Sequence, residues 1–200
     1  MPLAWAFLSV IGRMRSPCEC GTFARMSSPN LEVLADYGCV CGENPLWHPQ
    51  EQAVYWTDIP RGKLYRYRLA TGQHECCYEG RVVGGFTLQP DGALLLFLDQ
   101  GTVAEWRDGR ITRTIIEALP DELESRFNDV IADPQGRVFC GTMPVPSRND
   151  QPGRKGRLYR LDPGGHISLL LEGIGCSNGM GFTPDRKHLY YTDSTIRTIW

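Results

Sequence analysis

The sequence has no long apolar run. Nothing in it approaches the roughly 20 consecutive apolar residues that a membrane-spanning helix requires, so no membrane span is expected. It has no basic run either. Its 21 Lys and Arg are interspersed among 23 Asp and Glu for a formal net charge of -2. No surface is left to neutralise phosphates, which argues against a nucleic-acid partner. Histidine is scarce, with four residues, and none stands where a general base would be expected. No stretch is read as a serine nucleophile elbow, a P-loop or a dinucleotide fingerprint. These absences leave a small molecule or a protein as the expected partner.

Turn formers, by contrast, are plentiful. The chain carries 22 Gly and 14 Pro, and they recur between short apolar runs, the mark of many short strands rather than helices. Eight cysteines lack the spacing of a small disulfide scaffold. A chain long enough to bury a core needs no such staples, so they are read as buried, reduced thiols of a cytoplasmic protein. The pairs Cys18/Cys20 and Cys39/Cys41 are too closely spaced for the usual structural zinc site.

Residues 1–30 do not resemble the rest of the chain. The apolar stretch Leu3 to Ile11 lacks preceding basic residues and makes a poor secretory signal. The segment is expected to be a disordered or mis-assigned extension, with Met26 a natural beginning. Leu31 to Leu34 reads as a short apolar strand.

From there the sequence repeats. Four prolines, Pro49, Pro90, Pro134 and Pro184, each precede an apolar strand: Ala53 to Asp58, Leu94 to Asp99, Val138 to Thr142 and Leu189 to Asp193. The prolines stand 41, 44 and 50 residues apart, and each of the first three units continues into a second strand pattern, at Lys63 to Tyr67, Thr102 to Trp106 and Arg157 to Leu161. A turn-rich unit of about 40 to 45 residues built from short strands is the signature of a β-propeller blade. Ile116 to Leu123 reads as one helical turn, and Pro144 to Gly156 as an exposed loop at the mouth of the site face. Residues 31–200 therefore amount to three and a half to four blades. Ile199-Trp200 falls inside what reads as the second strand of a unit, so a longer, closed propeller is expected.

Glu43, Asn128 and Asn178 each lie six residues before the proline of their unit, and Gly84 holds that place in the second unit, where it is expected to leave room for a ligand. Equivalent positions in a propeller converge on the central channel. Each of the three has a plainer reading as a turn former or backbone cap. A carboxylate with amide oxygens makes a hard-oxygen site for a divalent cation. Arg126 adds a fixed cation with five donors, suited to an oxygen-rich substrate, or else a salt bridge to Asp129 or Glu124. Asp193 is read as part of the strand repeat, like Asp58 and Asp99, and not as a ligand. His48 is read as a turn residue.

The stretches Gly42-Glu43-Asn44-Pro45-Leu46-Trp47, Arg126-Phe127-Asn128-Asp129, Gly141-Thr142-Met143 and Ser177-Asn178-Gly179 with Tyr191-Thr192-Asp193-Ser194 resemble the SMP-30/gluconolactonase/LRE family of regucalcin-like sugar lactonases. The resemblance implies a six-bladed, all-β propeller that hydrolyses sugar lactones with one divalent metal ion, Ca2+, Zn2+, Mn2+ or Mg2+. It implies Glu43 and Asn178 as metal ligands and Arg126 and Asn128 as substrate contacts, in a monomer or weak dimer. The family's third ligand, an Asp also proposed as the base, belongs to an Asp-Gly motif expected beyond Trp200. Pro144-Val145-Pro146 stands where some members carry acidic substrate contacts. A non-catalytic calcium-binding propeller, a related esterase or phosphotriesterase, and an inactive fragment are the alternative readings.

Overall fold

The structure is a computed structural model that describes residues 32–145, 153 and 155–200. The expected extension over residues 1–30 and most of the Pro144 to Gly156 insert lie outside the described residues. What is described is all-β, with fifteen strands in four antiparallel sheets and two short 3-10 turns.

Each sheet is a simple up-and-down meander. The first contains β1 (Gly42–His48), β2 (Ala53–Asp58), β3 (Lys63–Arg68) and β4 (His74–Glu79). The second contains β5 (Val83–Leu88), β6 (Leu94–Leu98), β7 (Val103–Arg107) and β8 (Arg110–Ile116). β9 (Ser125–Ala132), β10 (Val138–Pro144), β11 (Gly156–Leu161) and β12 (Ile167–Ile174) form the third. The fourth has β13 (Ser177–Phe182), β14 (Leu189–Asp193) and β15 (Thr198–Ile199). The leading strands β1, β5, β9 and β13 lie one against the next, the arrangement of four blades about a shared inner face. The strand after each repeated proline is thus the second of its blade, and Thr198–Ile199 is a third strand rather than a second.

In the second blade burial falls from the inner strands outward. β5 and β6 are almost wholly buried, whereas β8 and β12 are mostly exposed. The run Leu94-Leu95-Leu96-Phe97-Leu98 shows why no alternation marks β6 in the sequence. Leu94, Leu96 and Leu98 pack with Tyr55 and Leu64 of the first blade, and Leu95 and Phe97 pack with Phe127 and Val138 of the third. A strand covered on both faces must be apolar throughout.

The Asp that closes the second strand of the first and fourth blades proves to be a clamp. Asp58 accepts from the Val40 and Cys41 N–H groups, both at 3.1 Å. Asp193 accepts from Gly175 N (2.9 Å), Cys176 N (3.1 Å) and Thr195 N (3.0 Å). Both carboxylates are nearly fully buried and hold the backbone that enters the leading strand of their own sheet. Asp99 instead accepts from Arg81 Nε at 2.8 Å. His48 is also structural: it ends β1, accepts from Glu51 N at 3.2 Å through Nδ1 and donates from Nε2 to Gly92 O at 2.9 Å, tying the first blade to the second.

Two local expectations need correction. Residues 32–34 form no strand, and Val33 is 80% exposed, because no strand lies alongside to pair with it. The segment is instead anchored by Tyr37, which stacks on Tyr65 at 4.2 Å. The helical turn expected over Ile116 to Leu123 shrinks to the 3-10 turn Pro120–Glu122, since Ile116 still belongs to β8. Among the described residues no helix is long and apolar enough to cross a membrane.

Candidate metal and substrate site

The four leading strands share one local device. Each carries a β-bulge near its start, where one extra residue breaks the ladder and re-aims its neighbours. In β1, Glu43 stands opposite Thr57, and the register slips between Glu43 and Leu46. In β13, Asn178 stands opposite Thr192, and it slips between Asn178 and Met180. Glu43 and Asn178 thus occupy the same register, each last before the bulge. The second and third blades differ by one residue. Val83 faces Leu98 and Gly85 faces Phe97, which leaves Gly84 as the extra residue. Phe127 faces Thr142 and Asp129 faces Gly141, which leaves Asn128.

That difference changes what each position does. Glu43 is exposed, and among the described residues its carboxylate meets the Cys41 thiol, at 3.7 Å, and caps no backbone N–H group. The Asn178 side-chain oxygen accepts from Gly179 N at 3.1 Å and keeps one lone pair in reserve. Asn128 is engaged at both ends of its amide. Its Oδ1 accepts from Arg126 at 2.7 Å, and its Nδ2 donates to Ser177 O at 2.6 Å, joining β9 to β13. Gly84 contradicts the expectation of room for a ligand. A Cβ there would fall 1.8 Å from Phe127 O, so this glycine exists to let the backbones of β5 and β9 approach.

Arg126 pairs with Met143 at the start of β9 and donates from one terminal nitrogen to Phe127 O (2.9 Å) and to Asn128 Oδ1. Burial lowers its pKa, while Cys176, Cys41 and Glu43 act in the opposite sense, which places all three in its neighbourhood. A guanidinium bonded to two neutral oxygens keeps donors for a further oxygen-rich group. The Cys176 Sγ lies 3.7 Å from both Asn128 Nδ2 and Met143 Sδ.

Two features of this region were not expected. Asn44 adopts φ 53° and accepts from Phe86 N at 2.5 Å, tying β1 to β5. The only sequence signal is its place before Pro45. Asp129, next to Asn128, is pushed up to about 6, first by burial and also by the Glu43 charge, while N–H groups of Val130, Gly179 and Met180 pull the other way.

Gly175-Cys176-Ser177-Asn178-Gly179 does match the Gly-x-Ser-x-Gly spacing of a nucleophile elbow, contrary to the absence read from the sequence. In this fold it is no strand-to-helix elbow. Ser177 is fully buried inside β13 opposite Asp193, with Oγ packed so tightly against Gly141 that a Cβ there would sit 1.6 Å away. His48 and His74 are bonded elsewhere, to Gly92 O and the Tyr37 hydroxyl.

The donor set at the leading strands is all oxygen, one carboxylate and one free amide lone pair, which fits a hard divalent cation. Among the described residues no group of three or more His, Cys, Asp or Glu side chains is placed to hold a metal ion. Glu43 and Asn178 alone do not amount to such a group. The six described cysteines are free, and only Cys140 among them is buried, so they are not uniformly core residues. A cavity of about 490 Å³ lined by Asp121, Lys155, Arg157 and Glu172 belongs to the third blade, and none of the candidate residues lines it.

Comparison with known proteins places this geometry. Residues 41–200 match the model of the SMP-30/Gluconolactonase/LRE-like region. The chain is 47% identical over 169 residues to the pentonolactonase XacC of Haloferax volcanii, covering 84% of this chain and 54% of that protein. It is 32% identical over 170 residues to a 6-deoxy-6-sulfogluconolactonase of Pseudomonas putida, covering 85% and 57%. A crystal structure of a calcium-binding protein, regucalcin, from Agrobacterium tumefaciens superposes with a TM-score of 0.70 at 22% identity, over 84% of this chain and 55% of that one, and shares the fold. The chain thus spans about half the length of the curated relatives it matches. With its blades, its bulged leading strands and the match over residues 41–200, the chain belongs to the SMP-30/gluconolactonase/LRE-like family.

Proposed function

We propose that the chain supplies part of the site of a divalent-metal-dependent sugar lactonase that opens aldonolactones to aldonic acids. The observation that carries this reading is the shared register of Glu43 and Asn178, each last before the bulge in its blade, with Arg126 and Asn128 on β9 between them. The lactonase relatives support it.

In this reading Glu43 would be the anionic ligand and Asn178 a neutral one, and the ion they would hold would supply a Lewis acid for the lactone carbonyl. Arg126 is fixed by its bonds to Phe127 O and Asn128 Oδ1. Its remaining donors stabilise the oxygen that gains negative charge when water adds to the carbonyl carbon, a preorganised contact of the kind that favours the transition state. The ring C–O bond then breaks, the ring oxygen takes a proton, and a hydroxy acid leaves. Asn128, held from both ends, keeps Arg126 in place and borders the substrate. The general base is not assigned to any of the described residues.

The test is lactone hydrolysis by pH-stat, on the longest natural form of the protein, with gluconolactone and several pentonolactones. The protein is stripped by chelation and then given Ca2+, Mn2+, Mg2+ or Zn2+. Turnover that vanishes on stripping and returns with an ion is the expected result. Ion binding by calorimetry with no turnover on any lactone would overturn the enzyme reading in favour of a non-catalytic calcium-binding propeller.

A further inference from the structure

The clamps made by Asp58 and Asp193 fall in the two blades that carry Glu43 and Asn178, and they are built alike. In the first blade Asp58 pairs with Gly42, the residue before Glu43. Its carboxylate takes one N–H on each oxygen, Val40 N on Oδ2 and Cys41 N on Oδ1, both at 3.1 Å. The next residue, Ile59, donates its own N–H back to Cys41 O at 3.1 Å. In the fourth blade Asp193 pairs with Ser177, the residue before Asn178. It takes Gly175 N on Oδ2 at 2.9 Å and Cys176 N on Oδ1 at 3.1 Å, and Ser194 N returns to Cys176 O at 3.1 Å. In both blades the clamped N–H groups belong to the third and second residues before the candidate ligand. The third blade, whose Asn128 is a tie, closes its second strand with Thr142. That hydroxyl serves the third strand, accepting from Arg157 N at 2.8 Å and donating to Arg157 O at 3.3 Å.

An ionised carboxylate has two oxygens that only accept, which suits it to two consecutive N–H donors. Asp58 and Asp193 are 0% and 3% exposed, so these bonds are held away from water. The contacts of the Glu43 and Asn178 side chains are local, the Cys41 thiol at 3.7 Å and Gly179 N at 3.1 Å. The direction of each is therefore set by the backbone that carries it, and a slip of one residue there would turn it to the other face. The geometry points to Asp58 and Asp193 as positioning residues for Glu43 and Asn178: each fixes the chain two residues ahead of a metal ligand, so that the ligand enters its bulge in one register. This rests on the reading of Glu43 and Asn178 as metal ligands. Partners that orient a ligand without touching the ion are a regular part of metal sites.

The experiment is calorimetric titration of the longest natural form of the protein, stripped of metal, with Ca2+ alone and with Mn2+ alone. Wild type, Asp58→Asn, Asp193→Asn, Thr142→Val, Glu43→Ala and Asn178→Ala are compared at a temperature where each is folded, with thermal unfolding alongside. Asp→Asn keeps the shape but sets an NH2 group where one N–H needs an acceptor. Each Asp→Asn variant is expected to lose about ten- to hundredfold in metal affinity, the range for such partners. Thr142→Val, which breaks a buried bond in the blade without a ligand, is expected to unfold at a lower temperature and keep wild-type affinity. Wild-type affinity in both Asp→Asn variants, with binding lost in Asn178→Ala, would overturn the positioning role and leave the metal site standing. A loss in one of them alone would support the role in that blade and overturn it in the other. An equal loss in Thr142→Val would assign the effect to a loosened fold and overturn the role as well. Wild-type affinity in Glu43→Ala and Asn178→Ala would overturn the ligand assignment and this inference with it. Should one Asp→Asn variant fail to fold, the other decides. Should both fail, Asp193→Glu, which keeps both acceptors one methylene farther out, is held to the same outcomes.

Discussion

The first and fourth blades treat their leading strand in one way, and the second and third in another. All four carry a bulge within a few residues of the same place. In the first and fourth, a polar residue stands before the bulge, paired across to a threonine, with its own oxygen left largely unspent: Glu43 opposite Thr57, Asn178 opposite Thr192. In the second and third, the residue at the same distance from the proline is the extra one. It serves the contact between blades, Gly84 by having no side chain and Asn128 by bonding in both directions. One residue of register separates a proposed ligand from a fastener, because the step from one strand position to the next turns a side chain to the opposite face.

The comparison breaks most visibly at the ligands. Glu43→Ala or Asn178→Ala should lower metal-dependent lactone hydrolysis by more than about a hundredfold, beyond the range expected of outer partners. Because Glu43 is exposed, its removal should leave the apo protein within about 0.5 kcal/mol of wild type. Metal titration and urea unfolding of the same samples check both halves. Gly84→Ala should do the reverse. Forcing a Cβ against Phe127 O should cost on the order of 1–3 kcal/mol or more in stability, read by unfolding, while the fraction that folds binds metal as before.

Asn128→Ala should fall between these. It removes the bond to Ser177 O and the brace on Arg126, so about 1 kcal/mol of stability is expected to go. KM for the lactone should rise several-fold as Arg126 loses its partner, with metal affinity retained. Steady-state kinetics beside calorimetry separates the two. An Asn128 variant that loses metal would place Asn128 with the ligands and erase the distinction between ligand and fastener.

The smallest effect is in pH. Asp129 titrates near 3.8 when unfolded and is pushed up to about 6 in the fold. Between these values the native state binds more protons than the unfolded one, so stability of the apo protein should fall as pH rises from about 4 to about 6 and then level. Asp129→Asn should flatten that slope, measured as unfolding midpoint against pH. A slope unchanged in the variant would assign it to other groups.

Much of this was legible in the chain, for a definable reason. The repeat of proline, apolar strand and closing Asp is local, and Glu43, Asn128 and Asn178 share one spacing from it, so their place near the bulge of a leading strand follows from the period. The resemblance of the Glu43, Arg126 and Asn178 stretches to one family was equally visible, and the match over residues 41–200 establishes it. The Gly-x-Ser-x-Gly string at Gly175 to Gly179 shows the opposite case, a spacing with no chemistry in it, because Ser177 faces a packed glycine inside a strand.

By itself, then, the sequence determined the all-β repeat, the family and the set of residues that gather at the leading strands, since these depend on order and spacing along one chain. Tertiary structure decided which of them are free. Whether Asn128 is spent as a tie and whether Gly84 is space or contact depend on groups from a neighbouring blade that approach within a few ångströms. Contacts between blades join residues some fifty positions apart, such as Asn128 and Ser177 at a separation of 49. No local pattern encodes them, because a bulge shifts register by a single residue and its consequence is felt only across the gap to the next sheet.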